Sequence, residues 1–359
     1  MTAGVDGARW QQPPNVATRD AREAGGREHR PELIAALEWL SRAQDALGAG
    51  GVAAGYRPRA GREGWWPASP GATGATIVTW YFAARHFDRP ELAHRAERAA
   101  RWQAESQLAS GAVQGGLVPT GQALLGWSSA FTETGWGVFA GAARRAGRFL
   151  VAMLEDDGLW RWGRSSTCTA WALAEAGRRL GAPEFRAAAA RHLRAVARLW
   201  QDGRCLPDEA VPPQSRSVAL VAEAIRGLLE GARVLGDERL MRCATLAAEH
   251  AVAALRGDGS AQWSSCPAGQ ARLVNVWLRL FEISGECRWL EPTAPALRFL
   301  QMALDPQRGG IRARITAGRE GELASILSCA TKFFVDAMIR EERIAHGLVE
   351  PTGAAAVVA

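Results

Sequence analysis

Five short turns divide this chain at nearly regular intervals, and that spacing constrains the fold more than any other feature. The turns fall at Asp88, Gly135, Gly181, Gly236 and Gly285. Each is followed by an apolar residue that starts a helix: Leu92, Phe139, Phe185, Leu240 and Leu290. Successive starts are 47, 46, 55 and 50 residues apart, inside the range of repeat architectures. Long Gly-containing loops keep step with the turns, centred on Gly51, Gly111, Gly158, Gly203, Gly259 and Gly309. One full unit can be read in Leu199–Leu240. It holds a helix end, a break at Asp202-Gly203, a polar loop to Gln214, a helix over Ser215–Leu235 and a short turn. Apolar residues recur at helical spacing nearly everywhere from Pro31 to Arg343, and no period-2 run marks a strand.

Such a row of helical hairpins stays open or closes into a ring. An open solenoid needs polar capping repeats at its ends. Here the first helix carries Leu33, Ile34, Leu37 and Leu40, and the last carries Ile326, Leu327, Phe333, Phe334, Val335 and Met338. Both ends are apolar, and the simplest partner for each is the other. The expected fold is all-α: a closed (α/α)6 toroid of six hairpins, one domain over residues 31–343. Residues 1–30 are polar and rich in Gly, Ala, Arg and Pro, which predicts a disordered arm. Residues 344–359 are expected to form a frayed tail.

The net charge of +6 comes without a long Lys/Arg run or a zinc-finger or RNA-recognition pattern, so nucleic acid is not the expected partner. No apolar run approaches the roughly 18 residues of a membrane span. The six cysteines include no C-x-x-C pair, which fits reduced thiols and a cytoplasmic setting. His29, His86, His94, His192, His250 and His346 show no ligand spacing with those cysteines. No metal and no other cofactor is expected on that ground.

In a ring, the inner helix of each hairpin is walled by its neighbours, so a polar stripe on it faces the central cavity. The helices entered from the long loops carry such stripes. One holds Glu223, Arg226, Glu230 and Arg233, the next Arg272, Asn275, Arg279 and Glu282. Counting back from each Gly turn aligns Glu223 with Arg272, Cys168 and Gln122. The same count aligns Arg226 with Asn275, Trp171 and Leu125, and Glu230 with Arg279, Glu175 and Ser129. The last helix adds Lys332 and Asp336. The first two layers are expected at the mouth formed by the long loops. The deeper layer alternates acid and base, and inter-helix ion pairing is its expected role.

Loops of the type Gln…Gly…Trp, as in Gln107…Gly111 and Asp258-Gly259…Trp263, resemble the repeat of squalene-hopene cyclases and protein prenyltransferases. A closer resemblance is to a bacterial group of six-hairpin proteins often encoded beside polysaccharide-biosynthesis genes. The stretches that carry it are Trp66-Pro67…Thr73-Gly74, Thr120-Gly121-Gln122, Ile225–Glu230, Val276–Leu280 and Lys332–Ala337. Two positions depart from that group's pattern. Pro119 stands where an Asp usually precedes Thr-Gly-Gln, and Ser215-Arg216-Ser217 stands where Thr-His-Thr usually opens the fourth inner helix. The cyclase resemblance implies an isoprenoid ligand, but Glu155-Asp156-Asp157 does not match a class II cyclase acid motif.

Three kinds of residue become candidates. Glu63, Asp208, Glu209 and Glu223 are the acid/base candidates near the mouth. Trp65 and Trp66 either stack on a sugar or isoprenoid or pin a loop. Gln122, Trp171, Arg216, Arg226, Arg272, Asn275 and Lys332 are placed to bind substrate, the arginines gripping a carboxylate or phosphate. The expected function is to act on or bind an anionic carbohydrate, namely a uronate, sugar phosphate or nucleotide sugar, in glycan or glycosylated-metabolite biosynthesis. If there is a reaction, it belongs to a metal-independent epimerase, lyase or hydrolase. The rivals are an isoprenoid-binding cyclase-like protein and a non-catalytic scaffold that kept the ring and lost its site.

Overall fold

A computed structural model describes residues 29–58, 64–161, 166–201, 218–260, 266–315 and 324–349. Twelve α-helices lie among them: α1 (Pro31–Asp45), α2 (Pro70–Phe87), α3 (Pro90–Glu105), α4 (Leu117–Thr134), α5 (Gly137–Ala152), α6 (Thr167–Leu180), α7 (Pro183–Gln201), α8 (Val218–Leu235), α9 (Glu238–Ala253), α10 (Pro267–Ser284), α11 (Thr293–Ala303) and α12 (Ser328–Ala345). The even-numbered helices form an inner ring. Each packs on its neighbours in the order α2, α4, α6, α8, α10, α12 and back to α2. Five outer helices back them, α3 on α2, α5 on α4, α7 on α6, α9 on α8 and α11 on α10. The sixth hairpin is built from the two ends of the chain, α1 against α12. The fold is the all-α (α/α)6 toroid, and its closure explains why five short turns serve six hairpins.

Local sequence accounts for the helix ends. Pro31, Pro70, Pro90 and Pro267 open their helices, where a missing N–H costs nothing. Left-handed residues stop the inner helices, Gly135, Gly181 and Gly285 at φ 71°, 64° and 73° and Asp88 at 53°. Two starts fall earlier than the apolar pattern suggests. α2 begins at Pro70 rather than Thr73, with the Ser69 hydroxyl accepting the Ala72 N–H, and α10 begins at Pro267 rather than Gly269. Outer helices bury one stripe, as α3 does with Leu92, Ala96, Ala99 and Ala100, while inner α6 is buried without a break from Thr169 to Gly177.

Threonine hydroxyls fasten the long loops to the inner-helix starts. Thr73, Thr120 and Thr331 accept the N–H groups of Val52, Val113 and Ile311 at 2.9, 3.1 and 2.9 Å. Each hydroxyl also donates to the carbonyl four residues earlier. Next to Thr120, Gly121 lets α4 approach α6: a Cβ there would lie 2.7 Å from the Thr169 hydroxyl. Gly309 marks the closure. It sits at φ +77°, and any side chain would strike the carbonyl of Ala35 in α1.

One element was not expected. β1 (Gly55–Arg57) pairs antiparallel with both β2 (Gly64–Trp65) and β3 (Ile326–Leu327). Strands of two or three residues are too short for an alternating pattern to register. This small sheet ties the first long loop to the start of α12. The Ser328 hydroxyl, donating to the Ala53 carbonyl at 2.5 Å, adds a second tie. No described helix is long and apolar enough to cross a membrane. Of the expected disordered arm over residues 1–30, residues 1–28 lie outside the described residues, whereas His29 and Arg30 bond to Glu342 and Glu341 of α12. Of the expected tail over residues 344–359, α12 takes the chain to Ala345, and residues 350–359 lie outside the described residues.

Candidate functional site

The long loops enter the inner ring at the helix N-termini, and a cavity opens at that end. Its lining comes from the first nine residues of the inner helices, with Ala75 and Val78 from α2 and Gln122 and Leu125 from α4. Cys168 and Trp171 come from α6, Glu223 and Arg226 from α8, Arg272 from α10, and Lys332 and Phe333 from α12. The water-sized free volume inside is about 30 Å³, room for about two waters or one carboxylate head.

Phe333 is the platform of this cavity. The guanidinium carbons of Arg226 and Arg272 lie 5.1 and 4.3 Å from its ring centroid, and the Lys332 ammonium lies 4.1 Å away. Arg226 also stands 4.7 Å over Trp171. These cation–π contacts hold the cations in place without neutralising them. Neither Arg226 nor Arg272 has an ion-pair partner among the described residues. Arg272 donates to the Ala268 carbonyl at 3.2 Å. Lys332 does have a partner. Its Nζ donates to Asp336 at 2.6 Å, and the Thr79 hydroxyl donates to the other oxygen of that carboxylate at 2.8 Å. Burial pushes the Lys332 ammonium down to about 8, against the attraction of Asp336 and with added repulsion from Arg226 and Arg272. Glu223 is the one carboxylate that lines the cavity among the described residues. The Trp171 indole N–H is buried without a hydrogen-bond partner among the described residues. Burial, with Glu223 nearby, pushes the Cys168 thiol up to about 12, so it stays protonated. Its sulfur donates to the Glu223 carbonyl at 3.1 Å.

The layer below is saturated. Glu230 accepts from Arg233 and Arg279, both at 2.9 Å, and Glu282 accepts from Arg279 at 2.7 Å and from Arg340 at 2.5 Å. Burial alone would raise Glu230, but Arg279, Arg233 and Arg340 hold it down to about 2. Glu175 is bound within its own helix by Arg178 and Arg179, both at 2.6 Å, and Arg179 reaches on to Ser129 at 3.2 Å.

The structure thus brings Gln122, Trp171, Glu223, Arg226, Arg272 and Lys332 to one cavity. Asn275 is not part of it. The Asn275 amide donates instead to the carbonyls of Ala271 and Phe333 at 2.9 and 2.8 Å, bracing α10 against α12. Trp65 and Trp66 lie in and beside the small sheet. Trp65 packs 5.2 Å from Trp39 and 5.1 Å from Tyr56, and Arg57 stands 5.8 Å over Trp66, so both pack the first loop and neither lines the cavity. Glu63, Asp208, Glu209 and Arg216 lie outside the described residues. The sequence reading missed Phe333 as part of a site, because an aromatic at helical spacing reads as core.

Solved structures share this architecture. An unsaturated glucuronyl hydrolase specific for heparin superposes with a TM-score of 0.69 at 15% identity, covering 90% of this chain and 98% of its own. An unsaturated glucuronyl hydrolase from Bacillus sp. GL1, responsible for glycosaminoglycan degradation, gives 0.66 at 15% identity, with 88% and 97% covered. The cellobiose 2-epimerase of Bacillus thermoamylovorans B4167 gives 0.64 at 11% identity, with 86% and 98% covered. At such low identity these likenesses establish the fold alone. No protein-family model and no curated protein sequence matches the chain. Similarity to prenyltransferases, implied by the loop repeat, has no counterpart in these likenesses.

Proposed function

We propose that this toroid is a carbohydrate-active protein whose loop-side cavity receives the carboxylate or phosphate of an anionic sugar. One observation carries the reading: Arg226 and Arg272 are held on Phe333 beside buried Lys332 with no ion-pair partner among the described residues. Like charges this close repel, and a bound anion relieves the repulsion. The helix N-termini around the mouth add further positive potential. The narrow cavity admits the charged head, and the sugar ring lies outside it toward the loops. Structural neighbours that act on glucuronyl glycans and on cellobiose support the substrate class. The resemblance to polysaccharide-associated toroids makes glycan or glycosylated-metabolite biosynthesis the setting we favour. A charged lining works against an apolar isoprenoid.

If the cavity carries a reaction, Glu223 is the group that moves a proton, and the reaction is an epimerisation, lyase or hydrolase step that needs no metal at this cavity. A second reading, binding without turnover, is favoured by the single carboxylate among the described lining residues and by the sequence departures from the polysaccharide-associated group, Pro119 in place of an Asp and Ser215-Arg216-Ser217 in place of Thr-His-Thr. Calorimetric titration against uronates, sugar phosphates, nucleotide sugars and neutral sugars tests the shared claim. Saturable binding confined to the anions is expected, and equal or absent binding across the panel ends it. Product analysis by NMR then separates turnover from binding.

A further inference from the structure

At the opposite end of the ring from the cavity, three residues far apart in sequence converge. His29 precedes α1, His86 lies in the last turn of α2, and Glu342 lies near the end of α12. The His29 Nδ1 and the His86 Nε2 lie 2.9 and 3.0 Å from the same oxygen of Glu342. One ligand atom from each residue falls within 4.8 Å of the others. His86 and Glu342 are buried, at 5% and 3% exposure, while His29 keeps one flank open to solvent. The Phe87 ring meets both imidazoles edge-on at 4.4 and 4.8 Å and limits their rotation. The second oxygen of Glu342 is fixed by the Arg30 backbone N–H at 3.0 Å.

We propose that His29, His86 and Glu342 form a binding site for a divalent metal of the zinc type. Two imidazole nitrogens and one carboxylate oxygen suit zinc better than magnesium or calcium, which take all-oxygen shells. Ligand bonds of about 2.0–2.1 Å in tetrahedral geometry put ligand atoms about 3.3 Å apart, so the two N···O edges open by a few tenths of an ångström and the two imidazoles, whose ligand atoms lie within 4.8 Å of each other, swing together to close the third edge. The open flank of His29 is the entry path, and a water completes the shell there. A metal so held would link α2, α12 and the segment leading into α1, across the seam where the ring closes. It would add stability there without touching the cavity at the other end.

The test uses the full chain, stripped with a chelator and dialysed. Zinc titrated calorimetrically should bind once per chain and raise the melting temperature. Cobalt in its place should give visible d–d bands without a sulfur-to-cobalt charge-transfer band, which separates this site from the six cysteines. His29→Gln removes a partly exposed ligand and should leave the protein folded by circular dichroism. It should weaken zinc by at least about 100-fold, since loss of even an outer-shell partner costs roughly 10–100-fold. Three results would each overturn the proposal: no zinc binding to the stripped wild type, equal binding by His29→Gln, or a cobalt spectrum dominated by thiolate. In any of those cases the three residues form a hydrogen-bonded clasp only.

Discussion

The mouth layer and the layer beneath it occupy equivalent steps of the same helical repeat, yet they dispose of charge in opposite ways. Below, Glu230, Arg279, Glu282 and Arg340 form a chain in which every charge has a partner. Above, Arg226 and Arg272 rest on an aromatic ring and have no carboxylate partner among the described residues. The lower layer is therefore a structural strut between α8, α10 and α12. The upper layer carries unspent positive potential at the cavity on the loop side. A polar stripe on an inner helix does not by itself mark a site. What marks it is the absence of an internal partner.

The largest effect that separates the layers is on stability. Glu230→Ala leaves Arg279 with Glu282 alone and takes the carboxylate from Arg233, and should destabilise the fold by about 3 kcal/mol, the lower end of what breaking a buried pair costs, while anion affinity stays near wild type. Denaturant unfolding together with calorimetry checks both halves. The same residue gives the ring an acid limb. Glu230 stands at about 2 when folded against 4.5 in the reference state, so its contribution is complete above 4.5 and is lost as pH falls toward 2. Glu230→Gln should flatten that part of the stability profile.

The reciprocal change comes next in size. Arg272→Ala should weaken anion binding by about 1.5–3 kcal/mol, the range of a charge-assisted hydrogen bond. It should leave stability within about 1 kcal/mol of wild type, because relief of repulsion offsets the lost cation–π contact. A large loss of stability would make Arg272 a strut like Arg279 and erase the distinction between the layers.

The smallest expected effect is a pH dependence at the mouth. Folding lowers Lys332 from 10.5 to about 8, so the folded state releases this proton first. Between those values its contribution to stability rises with pH, because the unfolded chain holds more protons. Anion affinity should move the other way, falling a few-fold as pH rises through about 8 and the ammonium loses its charge. Titrations across that window in constant ionic strength would expose a flat profile, which would remove Lys332 from the site.

Much of this was legible in the sequence because a repeat supplies its own ruler. Counting back from the Gly turns put Gln122, Cys168, Glu223 and Arg272 at one level and Leu125, Trp171 and Arg226 at the next, and all seven line the cavity. Asn275 shared the second level, but rotation about the helix turned its amide onto the Ala271 and Phe333 carbonyls, which a position count cannot resolve. Trp65 and Trp66 had two readings from sequence, and the contacts with Trp39, Tyr56 and Arg57 place them in the loop's own packing. The His29, His86 and Glu342 cluster was invisible, since spacing rules look for ligands close in sequence and these meet across 313 and 256 positions. Ring closure alone brings them together.

The most direct test of the central claim is the salt dependence of anion binding, measured by calorimetry for wild type and for Arg272→Ala. The account predicts saturable binding of a uronate, sugar phosphate or nucleotide sugar that weakens as salt is raised, with a weaker affinity and a shallower salt slope in the variant. Failure of every such anion to bind at millimolar concentration, or an Arg272→Ala protein that binds as wild type does, would contradict it.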